Sequence, residues 1–599
     1  MPYITLRPGD WTPDKGDVNH EGLFQVMDVV PYGGGWVPTP TSMEEICPVA
    51  TCATALRGIH IHGEIASGGT GISTWRVFAG NSTRLLRSTA SRDFTLESAS
   101  ATVHTSVAGF SGWQFCSYAD EVWAASQQNH LQYAAATATN FADAVLYATP
   151  TTYRPKARFV STINSSILIA NVTHGNTAGP FTSGNEDQSL VMWSAPANHR
   201  RFGDLNYINI AETIGSGYQR LDDEHGAITA ITGGEFAIIF KASAIYRMDG
   251  PPYTFRPIAT GIGTIFPNSV ARHGDDVYFI SNSGCPMVIR GGDGLPVPLG
   301  KGTVNRTVAT TTTSNYWADQ SEYFNEVFSD DSVTQPWTAI DGASGIVVFG
   351  VSRNANSTEL LFYNSDEDRF GFSGGQETNI STGLRYPLTT TGPKIQYAKS
   401  HSLVRIAPPV VNGTAEVPSS LLGDLVCVDN RERSSDKASL LMFKDTITTG
   451  GATYRSTAEP YFRWPYIKFY PDGASKFSSS RIVRVRPIYS CAEFSSDTDS
   501  TAAERQLKTV VIVRTKSRFP GENHSVTATY DPYVDTYQDD NGWITIDPSV
   551  LGTHHSISIQ FFDPSGSGAT TPLTSLMRSM LDLEVEYVIE GPYGSAYRT

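Results

Sequence analysis

The sequence predicts an all-β chain built around a β-propeller, and three observations carry that prediction. Gly, Ser, Thr and Pro are plentiful and aromatic residues make up 11% of the 599 positions, a mix that favours short strands and tight turns over long helices. Short apolar runs recur in pairs from about residue 56 to 410, with unit starts roughly 40–45 residues apart, the period of propeller blades. Those runs are nearly continuous rather than alternating, as in blade strands covered on both faces.

The elements follow in chain order. Residues 1–55 read as an extended N-terminal arm, irregular and rich in Pro and Gly around Tyr32-Gly-Gly-Gly-Trp-Val-Pro-Thr-Pro. Residues 56–410 read as the propeller, of six to eight blades. Its strand pairs include Asp120-Glu-Val-Trp-Ala-Ala-Ser with His130-Leu-Gln-Tyr, and Ser165-Ser-Ile-Leu-Ile-Ala-Asn with Ser189-Leu-Val-Met-Trp-Ser. Others are Gly233-Gly-Glu-Phe-Ala-Ile-Ile-Phe with Ala244-Ile-Tyr-Arg-Met, and Asp275-Asp-Val-Tyr-Phe-Ile-Ser with Met287-Val-Ile-Arg. Residues 411–455 read as a linker or crossing segment. From 456 to 599 the strands lengthen and alternate, as in Thr509-Val-Val-Ile-Val-Arg-Thr and Leu583-Glu-Val-Glu-Tyr-Val-Ile, which predicts a C-terminal β-sandwich platform. Glu584, Glu586 and Glu590 mark one acidic, solvated face of the last strand, and Thr574–Leu581 reads as a short helix.

Composition excludes several function classes. A net charge of −15 argues against gripping nucleic acid, which needs clustered Lys and Arg. No run approaches the roughly 18 apolar residues of a spanning helix, so no membrane insertion is expected. Met1-Pro2-Tyr3-Ile4-Thr5 has neither a basic nor an apolar leader region, so a chain made and kept in a cytosol is expected. Asn-X-Ser/Thr triplets at Asn81, Asn171 and Asn356 then read as chance matches.

Cys47, Cys52, Cys116, Cys285, Cys427 and Cys491 lack the paired spacing of a zinc site and read as buried apolar groups. His60 and His62 share a strand face that Glu64 continues; a metal site is one option, and polar residues on the wet side of an outer strand the favoured one. Asp535-Thr-Tyr-Gln-Asp-Asp-Asn-Gly resembles part of a calcium loop, but Asp547 comes too late to close it. Asp222-Asp-Glu and Asp366-Glu-Asp read as solvated turns. Arg481, Arg484 and Arg486 form a stripe that could meet an acidic partner or DNA, and more readily serve an interface salt network. Gly261-Ile-Gly-Thr-Ile-Phe lacks a nucleotide-binding glycine, and no Ser-X-Asp-X-Gly-X-X-Trp box or Gly-X-Ser-X-Gly elbow occurs. No catalytic, cofactor or metal residue is therefore assigned, and no enzyme activity is expected.

The stretch from Gly217-Tyr-Gln-Arg-Leu-Asp-Asp-Glu-His-Gly through Gly233-Gly-Glu-Phe, Lys241-Ala-Ser-Ala-Ile-Tyr-Arg-Met, Gly250-Pro-Pro-Tyr-Thr-Phe-Arg-Pro-Ile, Gly261-Ile-Gly-Thr-Ile-Phe-Pro-Asn-Ser-Val and Pro298-Leu-Gly-Lys-Gly-Thr-Val-Asn-Arg carries the most specific signal. It resembles the propeller of tail hub or nozzle proteins of short-tailed bacteriophages. Met192-Trp-Ser-Ala-Pro and Phe202-Gly-Asp fit the same pattern, and Cys285-Pro-Met-Val departs from its usual aromatic-rich strand. The likeness spans residues 190–310. It implies a structural virion protein of the tail, assembled in the host cytoplasm as a homohexameric ring below the portal and adaptor, with tail fibres or tail-tip proteins around it. Such a head–tail connector retains the packaged genome and lets DNA pass without specific binding during ejection. Two other expectations stand beside it. One is a carbohydrate-binding adhesin using Trp113, Trp123, Tyr133 and Trp193 at the blade tops; the other is a propeller glycosidase.

Overall fold

The computed structural model describes residues 3–12, 22–39, 42–47, 56–65, 72–88, 96–98, 112–135, 140–144, 155–173, 186–196, 198–202, 215–299, 334–342, 344–354, 357–374, 376–378, 385–387, 395–400, 410–411, 414–415, 425–429, 439–444, 453–455, 461–469, 479–489, 508–516, 523–530, 543–546, 551–562 and 580–590. Strands arranged in antiparallel sheets make up nearly all of them.

Among the described residues seven up-and-down sheets succeed one another, and they are the blades of a propeller. Their innermost strands are Leu56–Ile65, Gln114–Tyr118, Lys156–Ile163, Ile228–Thr232, Ala271–His273, Thr334–Asp341 and Ile395–Ser400. Consecutive blades touch through these strands or the short turn Pro267–Ser269, and the seventh touches the first, so the ring closes. The starting positions are unevenly spaced, which is why the sequence period left the blade number open.

The long apolar runs are the second strands of the blades rather than the first. Glu121–Ser126, Ser166–Thr173 and Ala237–Lys241 are buried almost throughout, because each is covered by a neighbouring blade on both sides. The innermost strands alternate between buried and half-buried residues, as in Lys156–Ile163, since one of their faces borders the axis. His60 and His62 accordingly stand on an innermost strand, not on the outer strand expected for them.

The N-terminal segment is woven into both parts of the fold. Ser42–Cys47 pairs with Ser439–Lys444 on one side and Thr453–Arg455 on the other. The seventh blade therefore joins strands from the expected arm, the expected propeller and the expected linker. The Gly-rich stretch is a hairpin: Val29–Tyr32 pairs with Gly35–Pro38 across Gly33 and Gly34, with φ of 65° and 80°. Positive φ at both central positions matches the right-handed twist of the flanking strands, and glycine adopts it without steric cost.

That hairpin continues the sixth blade into the C-terminal sandwich, through Val29 opposite Phe372 and Trp36 opposite Met580. One sandwich sheet sets Tyr3–Leu6 and Ser479–Tyr489 on either side of Met580–Glu590. The other runs Gln25–Met27, Tyr461–Arg463, His554–Phe562, Lys508–Lys516, Asn523–Tyr530. Val26, Trp36, Phe462, Val511, Ile559 and Val585 fill the space between them. Met580 and Leu581 are strand residues, where a helix over Thr574–Leu581 was expected; residues 574–579 lie outside the described residues.

The acidic face of Met580–Glu590 is not simply solvated. Arg486 Nε donates to Glu584 at 2.7 Å and Arg484 pairs with Glu586, while both guanidinium groups lie over the Trp543 ring at 4.9 and 4.8 Å. Arg484 and Arg486 of the arginine stripe thus pair with Glu586 and Glu584 directly across the sheet, while Arg481 stands opposite Val588; opposite charges so placed stabilise the strand pairing.

Candidate functional site: the propeller axis

A cavity of about 640 Å³ lies on the propeller axis, lined by the inner strands of the first six blades. Such a cavity follows from the fold: seven blades meeting around an axis leave a space that their first strands cannot fill. Its polar lining is His60, His62, Gln114, Ser117, Ser161, Thr162, Thr232, Asn268, Arg272 and Thr338, with Phe115 among them; Trp113 and Trp337 border it with their rings turned into the blade cores. Among the described lining residues there is no carboxylate.

Ser117 ties the first two blades together. Its Oγ lies 2.7 Å from His60 Nε2 and 2.8 Å from His62 Nδ1. One hydroxyl carries one proton, so it donates to at most one imidazole and the other ring must donate to it. The His60 ring is stacked on Phe115 at 6.1 Å. The pair is thus assembled around a hydroxyl, and no cluster of three or more His, Cys, Asp or Glu fit for a metal occurs among the described residues.

Gln114 and Asn268 bridge the axis. Gln114 Nε2 donates to Asn268 Oδ1 at 2.9 Å, linking the second blade to the turn before the fifth. Both stand at the end where the inner strands begin, so the bond bars that mouth of the cavity. A duplex whose major groove alone is about 12 Å wide has no path through it.

Arg272 holds the far wall. Its Nη1 donates to Gly233 O at 2.9 Å and Phe236 O at 2.7 Å, and its Nε donates to Gly274 O at 2.7 Å. The Phe236 ring is clasped between Arg272 at 3.9 Å and Arg247 at 4.1 Å. Gly233 and Gly234 permit this approach. A Cβ on Gly233 would meet Thr162 O at 1.7 Å, and Gly234 at φ 151° donates its N–H to Thr162 O at 2.9 Å. The Gly233-Gly-Glu-Phe motif is therefore the joint between the third, fourth and fifth blades.

The remaining candidates are accounted for by packing. Asp223 accepts bonds from the buried Lys241 and from Tyr246. Glu367 accepts from the Gly34 N–H at 2.9 Å, and Asp368 from Tyr363 at 2.6 Å. Trp113, Trp123 and Trp193 are 2%, 0% and 9% exposed, and Tyr133 is stacked on Trp123 beneath Arg200, so these aromatics belong to the blade cores rather than to an exposed top. Cys116, Cys285 and Cys427 are buried; burial pushes the Cys116 thiol well up, which leaves it protonated and unreactive. Cys52, Cys491, residues 535–542 and Asp547 lie outside the described residues, as do the side chains of Cys47 and Glu64.

The residues that build the axial cavity, Gln114, Ser117, Asn268 and Thr338, were not singled out from sequence. Isolated hydroxyl and amide residues on short strands look like ordinary polar positions until the ring brings them together.

No protein-family model and no curated protein sequence matches the chain. Among solved structures, the chain is similar to the extracellular domain of a one-component system from B. thetaiotaomicron, at 9% identity and a TM-score of 0.35. That match covers 75% of this chain and 43% of the other. It is also similar to YCF48 bound to D1 peptide, at 9% identity, 71% and 100% coverage and a TM-score of 0.34. BamB from Moraxella catarrhalis matches at 11% identity, 70% and 95% coverage and a TM-score of 0.29. The propeller architecture itself rests on the sheet order and the closed ring of inner strands.

Proposed function

We propose that the chain is a structural virion protein with no chemistry of its own, a subunit of the ring-shaped nozzle at the tail of a short-tailed bacteriophage. In this reading copies form a ring, of about six, below the portal and adaptor. The ring retains the packaged genome and surrounds the DNA exit path.

The observation that carries the reading is the resemblance running from Gly217 to Arg306. From Gly217 to Leu299 it falls on an outer strand of the third blade and on the fourth and fifth blades, where Gly233, Phe236 and Arg272 form the inter-blade joint; residues 300–306 lie outside the described residues. Because Gln114 and Asn268 bar the propeller axis, the DNA path in this reading lies between copies, not through one. The net charge of −15 suits a wall that phosphates slide past, since carboxylates repel them and Lys or Arg would hold them.

Native mass measurement of the purified chain, with negative-stain imaging of the same sample, tests the proposal. A closed ring of about six copies is the expected result. A stable monomer at micromolar concentration, with or without portal and adaptor present, would sink it.

A further inference from the structure

We propose that the axial cavity is a binding site for a small, neutral, hydroxyl-rich ligand of the saccharide class. The inference is independent of the ring, because the first six blades of a single copy supply the described lining. A volume of about 640 Å³ falls within the roughly 300–1,000 Å³ of small-molecule sites.

The chemistry of the wall selects the class. A cationic ligand would need carboxylates, and the described lining has none. An anion would need a cation with donors to spare. Arg272 commits its guanidinium to Gly233 O, Phe236 O and Gly274 O and faces Asp275 at 3.4 Å. What the wall offers is a set of groups that both donate and accept. His60, Ser117 and His62 form a chain whose direction of donation can reverse, because each imidazole has two tautomers. A ligand hydroxyl, itself donor and acceptor, fits such a chain in either sense. Phe115, whose ring is stacked on His60, supplies an apolar face that the C–H side of a sugar ring covers.

Thr338 is 1% exposed, and its Oγ1 is buried with no hydrogen-bond partner, on a strand that lines the cavity. A buried hydroxyl left unsatisfied is costly, and in native proteins such a group has water or a ligand to meet. A ligand hydroxyl would satisfy it. The Gln114–Asn268 bond then acts as the bar at one mouth.

Isothermal titration of the full chain with glucose, N-acetylglucosamine, galactose and maltose, and separately with inorganic phosphate, tests the proposal. At least one neutral sugar should bind saturably, and Thr338→Val and Ser117→Ala should each weaken it about tenfold or more. Circular dichroism checks that each variant folds. For a variant that does not, a crystal of the wild-type chain soaked in the same sugar replaces it, with sugar density beside Ser117 and Thr338 expected. No saturable sugar binding to the wild type, binding of phosphate alone, or full affinity in both folded variants overturns the inference. None of these outcomes depends on whether the chain forms a ring.

Discussion

Arg272 donates to three backbone carbonyls and covers one face of Phe236, so its removal leaves acceptors of two blades without their donor. Hydrogen bonds to a charged donor and the ring contact together put the loss for Arg272→Met at about 3 kcal/mol. Arg272→Lys should recover less than half, because an ammonium cannot reproduce the planar fork. Urea unfolding midpoints measure both, and a Lys variant as stable as wild type would show that charge alone matters. His555 makes a second residue-scale prediction. It is fully buried in the sandwich, with Nε2 donating to Ser480 O at 2.9 Å and Nδ1 2.8 Å from Thr515 Oγ1, an arrangement that holds the ring neutral. Burial pushes its pKa down to about 4, partly opposed by the Ser480 contact and reinforced by His554. The unfolded chain, titrating near about 6.5, then binds the proton that the folded chain refuses. Stability from this group is complete above about pH 6.5 and falls as pH drops toward 4, by about 3 kcal/mol in all. His555→Gln should flatten that part of the stability–pH profile; an unchanged slope in denaturation from pH 7 to 4.5 contradicts the assignment.

At the scale of the element, Ser42–Cys47 determines whether the ring closes. Glu44 lies opposite Met442 on one side and Thr453 on the other, so its N–H belongs to an interior position of the sheet. Proline there removes a donor and forces the backbone, and Glu44→Pro is expected to cost about 3 kcal/mol or more. The same change at Tyr3, whose strand pairs only with Met580–Glu590 among the described residues, should cost less than half as much. Thermal unfolding of the two variants side by side makes the comparison, and equal losses would mean that the closing strand is dispensable. The chain's β character and its paired apolar runs were legible in sequence because burial between blades demands continuous hydrophobic stretches such as Ala237–Lys241. The innermost strands were not, because the axis asks them for His60, Ser117 and Thr338 on one face, and that pattern reads as a wet outer strand. Ser42–Cys47 was equally hidden. Its partner Ser439–Lys444 is remote in sequence, and nothing local in a Pro- and Gly-rich segment signals a pairing made at such range.

For the whole molecule the decisive feature is that the propeller and the sandwich share one core. Phe240 and Phe279 of the fourth and fifth blades, and Phe349 and Tyr363 of the sixth, belong to the same buried cluster as Trp36, Phe462 and Val585 of the sandwich. The hairpin Val29–Pro38 carries hydrogen bonding from the sixth blade into the sandwich sheet, and Arg369 Nη2 ties that blade to Pro8 O and Gly9 O at 2.9 Å. A composition shift near residue 410 suggested separate domains, since it marks a change in strand style and carries no information about which surfaces are covered. Units joined by a polar interface open independently, whereas units that share buried apolar surface lose it together. Scanning calorimetry of the intact chain is therefore expected to show one main transition. Trp36→Ala, which empties space in the shared cluster, should lower it as a whole by several degrees, the loss for a buried aromatic being about 3–5 kcal/mol. Two well-separated transitions in the wild type, with Trp36→Ala moving only one of them, would show that the sandwich is an appendage and that the N-terminal segment merely crosses it.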